Sequence, residues 1–193
     1  MKKLDKKGII KIIEDDPWMI QVLKSAKSLN LPDCWVGGGF IRSKIWDYLH
    51  DYSKRTPLPD IDVIYLDPAD YTKDEAQNHS TRKEEEYELK LNKLMPGNVW
   101  SVTNQARMHL YHNKSPYKIS KDAMRDWVET ATGVGARLNE KNEVELIASW
   151  GIDDLVNLIL RPSETKPERL KEFNRRIKTK KWLEKWPKLR VIS

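Results

Sequence analysis

Three consecutive glycines, Gly37-Gly38-Gly39, stand between a short apolar stretch, Cys34-Trp35-Val36, and a segment from Phe40 to Leu49. In that second segment Ile41, Ile45 and Leu49 fall on one face of a helix. The chain has eight glycines in 193 residues, so such a triple arises by chance only about 0.01 times. A strand that ends on a glycine turn and passes into a helix brings backbone N–H groups close to a ligand. The helix adds the positive end of its dipole, and the arrangement suits an anion such as phosphate. Pro57 and Pro59 then mark a turn, and Asp60-Ile61-Asp62-Val63 opens a second apolar strand that runs from Ile61 to Leu66. Residues two apart on a strand share a face, so Asp60 and Asp62 can converge on Mg²⁺, which takes carboxylate oxygens together with substrate phosphates. A phosphate cradle beside a paired-carboxylate metal site is what nucleotidyl transfer requires. The competing reading is a tight turn followed by a charged strand end.

The rest of the chain alternates helix and strand. Helices are expected over Ile9 to Ile13 and Trp18 to Leu29, the second capped by Asp15 or Asp16 with Pro17 in its first turn. A long, highly charged helix is expected over 70–94, with Glu84-Glu85-Glu86 on a solvated face. A third strand spans Val99 to Thr103, followed by helices over Asn104 to Tyr111 and Ala123 to Thr130. Val134 to Leu138 and Val144 to Ala148 flank Asn139-Glu140-Lys141-Asn142 as a hairpin. A short helix from Asp153 to Leu160 has Asp153-Asp154 as its cap. Interleaved strands and helices ending in a hairpin predict an α/β (α+β) fold with a mixed, partly antiparallel sheet and flanking helices.

Charge divides the chain in two. Residues 161–193 hold 12 basic and 4 acidic residues, a net of +8, while residues 1–160 hold 23 basic and 25 acidic, a net of −2. We therefore set 1–160 apart as the main domain and 161–193 as a basic helical appendage, packed on it or extending from it. The appendage suits RNA, with Trp182 and Trp186 available to stack on bases; alternatively its tryptophans dock on the body. A single cysteine excludes a disulfide framework, and Cys34, just ahead of a strand, reads as a buried inert thiol. No apolar run approaches a membrane span, and no secretory signal opens the chain, so a cytoplasmic protein is expected.

The stretch Val36-Gly37-Gly38-Gly39-Phe40-Ile41-Arg42-Ser43, with Asp60-Ile61-Asp62-Val63 after it, resembles the DNA polymerase beta-type nucleotidyltransferase superfamily. Gly38-Gly39-Phe40-Ile41-Arg42-Ser43 is similar to the Gly-Gly-x-Val-Arg-Asp signature in the head domain of CCA-adding enzymes and poly(A) polymerases, with Ser43 where the signature has Asp. A wider resemblance, to uncharacterised bacterial nucleotidyltransferase-like proteins, rests on Trp100 through His109, Glu129-Thr130-Ala131-Thr132 and Gly151-Ile152-Asp153-Asp154-Leu155. The resemblance implies a nucleotidyltransferase fold in which Asp60 and Asp62 hold two Mg²⁺ ions. Gly38, Gly39, Arg42 and Ser43 would bind the nucleotide, and an NMP would pass from an NTP to an acceptor hydroxyl, on RNA or on a small molecule. Many superfamily members carry a third carboxylate on a neighbouring strand; here the candidate strand ends at Thr103-Asn104 with no acid. That gap leaves open a non-catalytic nucleic-acid-binding protein on the same fold. Asn104 and Arg107 either face the cleft, where they meet acceptor or phosphate, or are structural, with Arg107 in a buried ion pair to Glu129.

Overall fold

The structure, a computed structural model, describes residues 4–70 and 81–192. Helices α1 (Lys6–Glu14) and α2 (Pro17–Lys27) lead in, and Asp16 settles the choice of cap: its carboxylate accepts the Met19 N–H, with Pro17 at the first helical position. Strand β1 (Trp35–Gly37) then feeds α3 (Gly39–Leu49), and β2 (Ile61–Tyr65) follows. Next come α4 (Arg82–Leu94) and β3 (Trp100–Asn104), then a single 3-10 turn into α5 (Met108–Tyr111). The chain continues through α6 (Ser120–Met124) to the hairpin β4 (Val134–Leu138) and β5 (Val144–Ala148). It closes with α7 (Asp153–Val156), β6 (Ile159–Leu160), α8 (Pro167–Lys180), α9 (Trp182–Lys185) and β7 (Arg190–Val191).

The five-stranded sheet has the order β3-β2-β1-β4-β5. Only β2 and β3 are parallel; β1 runs antiparallel to both its neighbours, and β4 to β5. The sheet is therefore mixed and partly antiparallel, as expected. In β2 the alternation is strict: Ile61, Val63 and Tyr65 face the main core with α1, α2 and α3, while Asp62 and Ile64 face away from it. The far face is covered by Met124 and Trp127, which pack on Trp35 and Ile64.

Four expectations need correction. The helix placed over Ala123 to Thr130 lies earlier, at Ser120–Met124, because Trp127 must leave the helix to reach the glycine turn. The helix placed over Asp153 to Leu160 ends at Val156; Leu158, with φ +58°, turns the chain into β6, which pairs with β7. Its capping position is Ile152, and Asp154 instead accepts from the Thr130 hydroxyl and from Arg161. Glu84 is fully buried rather than part of a solvated face, while Glu85 and Glu86 are exposed. The front of the helix expected over 70–94 falls partly on 71–80, outside the described residues; from Thr81 onward a capping box opens α4.

The basic segment 161–193 supplies Phe173, Trp182, Trp186 and Leu189 to the same apolar cluster as Trp46. Trp46 meets Trp182 and Trp186 edge-on, at centroid distances of 6.1 and 5.1 Å. The Trp186 indole N–H donates to Asp47 at 2.8 Å, and Asp47 also accepts the backbone N–H and hydroxyl of Thr56. One buried carboxylate thus ties α3, the approach to Asp60 and the C-terminal segment together.

Candidate active site at the glycine turn

Two glycines of the triple have a spatial demand, Gly37 and Gly38, while a Cβ on Gly39 would make only ordinary contacts at 3.7 Å and beyond. A Cβ on Gly37 would stand 2.7 Å from the Trp127 ring. Gly38 has φ +60° and ψ −123°, a conformation that side chains rarely adopt, and a Cβ there would stand 3.2 Å from Asp62 Oδ2. The turn can therefore lie directly against the carboxylate. Gly38 is also the N-cap of α3 and brings no side chain to satisfy the first N–H groups of that helix.

A cleft of about 540 Å³ opens at this point, lined by Asp60 and Asp62, by Gly39, Arg42 and Ser43, and by the loop Pro57-Leu58-Pro59. The structure thus brings both aspartates, Gly38 and Gly39, Arg42 and Ser43 to one place. Asp60 and Asp62 are half-buried; Arg42 and Ser43 are buried. Burial, reinforced by the nearby negative charge of Asp60, pushes the Asp62 carboxyl up from its ordinary 3.8 to about 6, against the opposing pull of Arg42, Lys180 and Arg176. Asp60 and Asp62 line the cleft two residues apart and offer hard carboxylate oxygens, the donors that a divalent cation of the Mg²⁺ type takes, so the residues fit such an ion. Among the described residues no third acid, histidine or cysteine completes a larger metal-binding group.

Arg42 belongs to a buried chain of polar contacts. Its Nη1 donates to the Thr132 hydroxyl at 2.7 Å, that hydroxyl donates to Glu129 Oε2 at 2.9 Å, and Glu129 accepts Arg176 Nε at 2.6 Å. The Arg42 guanidinium lies over the rings of Trp182 (4.5 Å) and Trp46 (5.1 Å). Burial lowers its pKa to about 10, partly offset by Glu129.

Asn104 and Arg107 lie elsewhere. Asn104 is fully buried, and its side chain accepts from the backbone N–H groups of Asp67 and Ala106 while donating to the carbonyls of Asp67 and Asp70. Arg107 donates to both oxygens of Glu84, at 2.7 and 2.8 Å. Of the two alternatives for Arg107, the structural one holds in kind but with another partner: Arg107 pairs with Glu84, and Glu129 pairs with Arg176. Asn104 and Arg107 do not line the cleft.

A family profile described as Nucleotidyltransferase matches residues 24–191. The chain belongs to that family. A solution NMR structure described as revealing a CCA-adding enzyme head domain shares 32% identity at a TM-score of 0.80 and covers 98% of this chain and 96% of its own. A CCA-adding enzyme in complex with CTP shares the fold at 16% identity and a TM-score of 0.58, over 96% of this chain and 43% of that one. The CCA-adding enzyme of Thermotoga maritima, complexed with tRNA, gives 16% identity and a TM-score of 0.56 over 96% and 42%. This nucleotidyltransferase chain therefore spans less than half the length of those enzymes. No curated protein matches the sequence.

Part of the cleft is not legible in the sequence. Thr132 lines it and passes the contact of Arg42 on to Glu129. Both residues stand in the Glu129-Thr130-Ala131-Thr132 stretch, where the sequence reading gives Glu129 only a structural pairing with Arg107 and Thr132 no role. The far wall of the cleft is built from the C-terminal segment: Arg176, Lys180, Lys181 and Lys185, with Trp182 and Trp186 beneath. The signal available in the sequence was the pairing of basic residues with two tryptophans, because large aromatics in a charged tail need apolar cover.

Proposed function

We propose that the protein transfers a nucleoside monophosphate from an NTP to an acceptor hydroxyl in a Mg²⁺-dependent reaction. The observation that carries this reading is the convergence of Asp60, Asp62, the Gly38 turn and Arg42 on one basic-walled cleft. In the reaction the acceptor oxygen forms a bond to the α-phosphorus. The bond from that phosphorus to the α–β bridging oxygen breaks, its electron pair leaves with pyrophosphate, and the acceptor proton passes to solvent. Asp60 and Asp62 would hold the metal, which when bound lowers the pKa of the acceptor hydroxyl and neutralises phosphate charge. The Gly38-Gly39 turn and the uncapped first turn of α3 receive phosphate oxygens. Arg42, fixed by Thr132 and by two indole rings, supplies a positive charge whose position needs no reorganisation during the reaction.

RNA is the acceptor class supported by the +8 C-terminal segment and by the tRNA complex of a relative in fold. One observation favours a second reading, a nucleic-acid-binding module without catalysis: no third acid joins the aspartate pair among the described residues. Incubation with Mg²⁺ and each α-labelled NTP, over RNA, small-molecule and protein fractions, separates the two. Label moving into RNA, and lost in Asp62→Asn, supports the transferase. No transfer from folded wild-type protein that still binds RNA supports the module, and label in the small-molecule fraction refutes RNA as acceptor. Truncating the basic segment is not a usable control, because Trp182 and Trp186 are each only 2% exposed and truncation would open the core.

A further inference from the structure

We infer that the C-terminal segment is the polyphosphate wall of the cleft: Lys180, Lys181 and Lys185 bind the β- and γ-phosphates of the NTP and the pyrophosphate that leaves. The inference rests on the transferase reading for its choice of ligand, and on four independent features of the structure for its residues.

The three lysines line the same cavity as Asp60, Asp62 and Arg42. They stand on a fixed surface, because Trp182 packs edge-on against Trp46 and Trp186 donates to Asp47. Lys181 has φ +53° and ψ +40°, the left-handed region that a lysine enters at a cost, and this single residue breaks α8 from α9. The chain changes direction there while Lys180, Lys181 and Lys185 all stay on the cleft, so the strained turn serves the cleft wall. Finally, the charges are available. Lys180 and Lys185 make no ion pair with an acid among the described residues, and Lys181 reaches Glu184 only at 3.7 Å. The buried Arg42 Nε has no hydrogen-bond partner. Arg176, by contrast, is committed to Glu129.

A cleft with the aspartate pair at one side and three lysines beside the Arg42 guanidinium at the other is matched to a ligand that brings several phosphate charges of its own. A triphosphate does so in the length of one cavity. An RNA backbone carries one charge per nucleotide and needs a longer basic track. The lysines would take up the negative charge that accumulates on pyrophosphate as the bond from α-phosphorus to the bridging oxygen breaks.

The test uses inorganic tripolyphosphate in metal-free buffer containing EDTA, titrated calorimetrically into the full chain. The comparison is the variant Lys180→Ala, Lys181→Gly, Lys185→Ala. Glycine accepts a positive φ without strain, so Lys181→Gly keeps the turn, and a cooperative melt at a temperature no lower than that of wild type checks the fold. Wild type is expected to bind tripolyphosphate, and the triple variant to bind at least about tenfold more weakly, a loss of some 1.4 kcal/mol. A wild-type protein that does not bind tripolyphosphate, or a folded variant that binds it as well as wild type, overturns the proposal. So does a variant that keeps tripolyphosphate but loses a single-stranded RNA with a 5′-hydroxyl end. The wall and the transferase reading fail separately. Lysine-dependent tripolyphosphate binding without NMP transfer refutes only the reaction. Transfer at an unchanged KM for NTP in the triple variant refutes only the wall.

Discussion

Replacing Asp62 by Asn should make the protein more stable at neutral pH, and the structure gives the sign and size. Burial and the neighbouring Asp60 raise the Asp62 carboxyl to about 6 from an ordinary value of 3.8. A group whose folded pKa lies above its unfolded value binds its proton more tightly in the fold. Its contribution is therefore favourable below about pH 4 and is lost as pH climbs through about 6. At pH 8 the folded protein holds an ionised Asp62 in a place that disfavours the charge. A displacement of this size corresponds to roughly 3 kcal/mol. Because the side chain is only half-buried and solvent screens part of the field, we expect about 1–3 kcal/mol from Asp62→Asn at pH 8. In a chain of this length that is a rise of roughly 3–8 °C in melting temperature. At pH 4 the two proteins should melt together, since Asp62 is then already neutral. Melting curves by circular dichroism across pH 4 to 8 are the assay. A variant that is less stable than wild type at pH 8, or whose advantage does not fade toward pH 4, would refute the electrostatic reasoning. Mg²⁺ supplies a second arm: at pH 8 it should raise the wild-type melting temperature and leave the variant unmoved, because only wild type keeps both carboxylates.

Three further outcomes follow from the same geometry. Gly38→Ala forces a side chain into a positive-φ conformation and against Asp62 Oδ2, so it should cost about 1–3 kcal/mol in urea denaturation and abolish nucleotide binding in a filter assay. Glu129→Gln removes the charge that joins Arg176 to Thr132 and offsets the burial of Arg42; a loss of about 3–5 kcal/mol is expected by denaturant titration. Cys34 borders a second cavity of about 530 Å³, yet burial and Asp33 push its thiol up to about 12, so a thiol-reactive dye at pH 8 should label the unfolded chain and spare the native one.

The parts legible from the sequence were those whose chemistry is local. Three glycines in a row and two aspartates two apart each declare a backbone or side-chain geometry over a few residues, and the structure sets Gly39 and both aspartates on one cleft with Gly38 against Asp62. Strand β2 also showed, because Ile61 to Leu66 is a short apolar run interrupted only by Asp62 and bounded by Pro59 and Pro68. What escaped was decided by partners far away in the chain. Glu84 sits in a run of three glutamates that looks solvated, but its carboxylate serves Arg107, 23 residues on, and the backbone N–H of Asn104. Arg107 has two candidate acids at similar separations in sequence, and nothing in the spacing chooses between Glu84 and Glu129. Strands β6 and β7 are two residues each, too short to leave a period. The basic segment was visible as charge, but its place across the cleft depends on Trp186 reaching Asp47.

That last contact joins positions 139 residues apart. Closing so long a loop is entropically late, so the non-local wall should form after the local turns and hairpin. Until it forms, Trp46 is uncovered and the lysines hang on an undocked peptide away from the aspartates. The aromatic anchors and the cationic groups travel on the same short segment, which makes the assembly of the anion site and the completion of the core a single event. A half-folded chain therefore offers polyanions in its surroundings no formed cleft, and competence for the ligand arrives together with a finished interior.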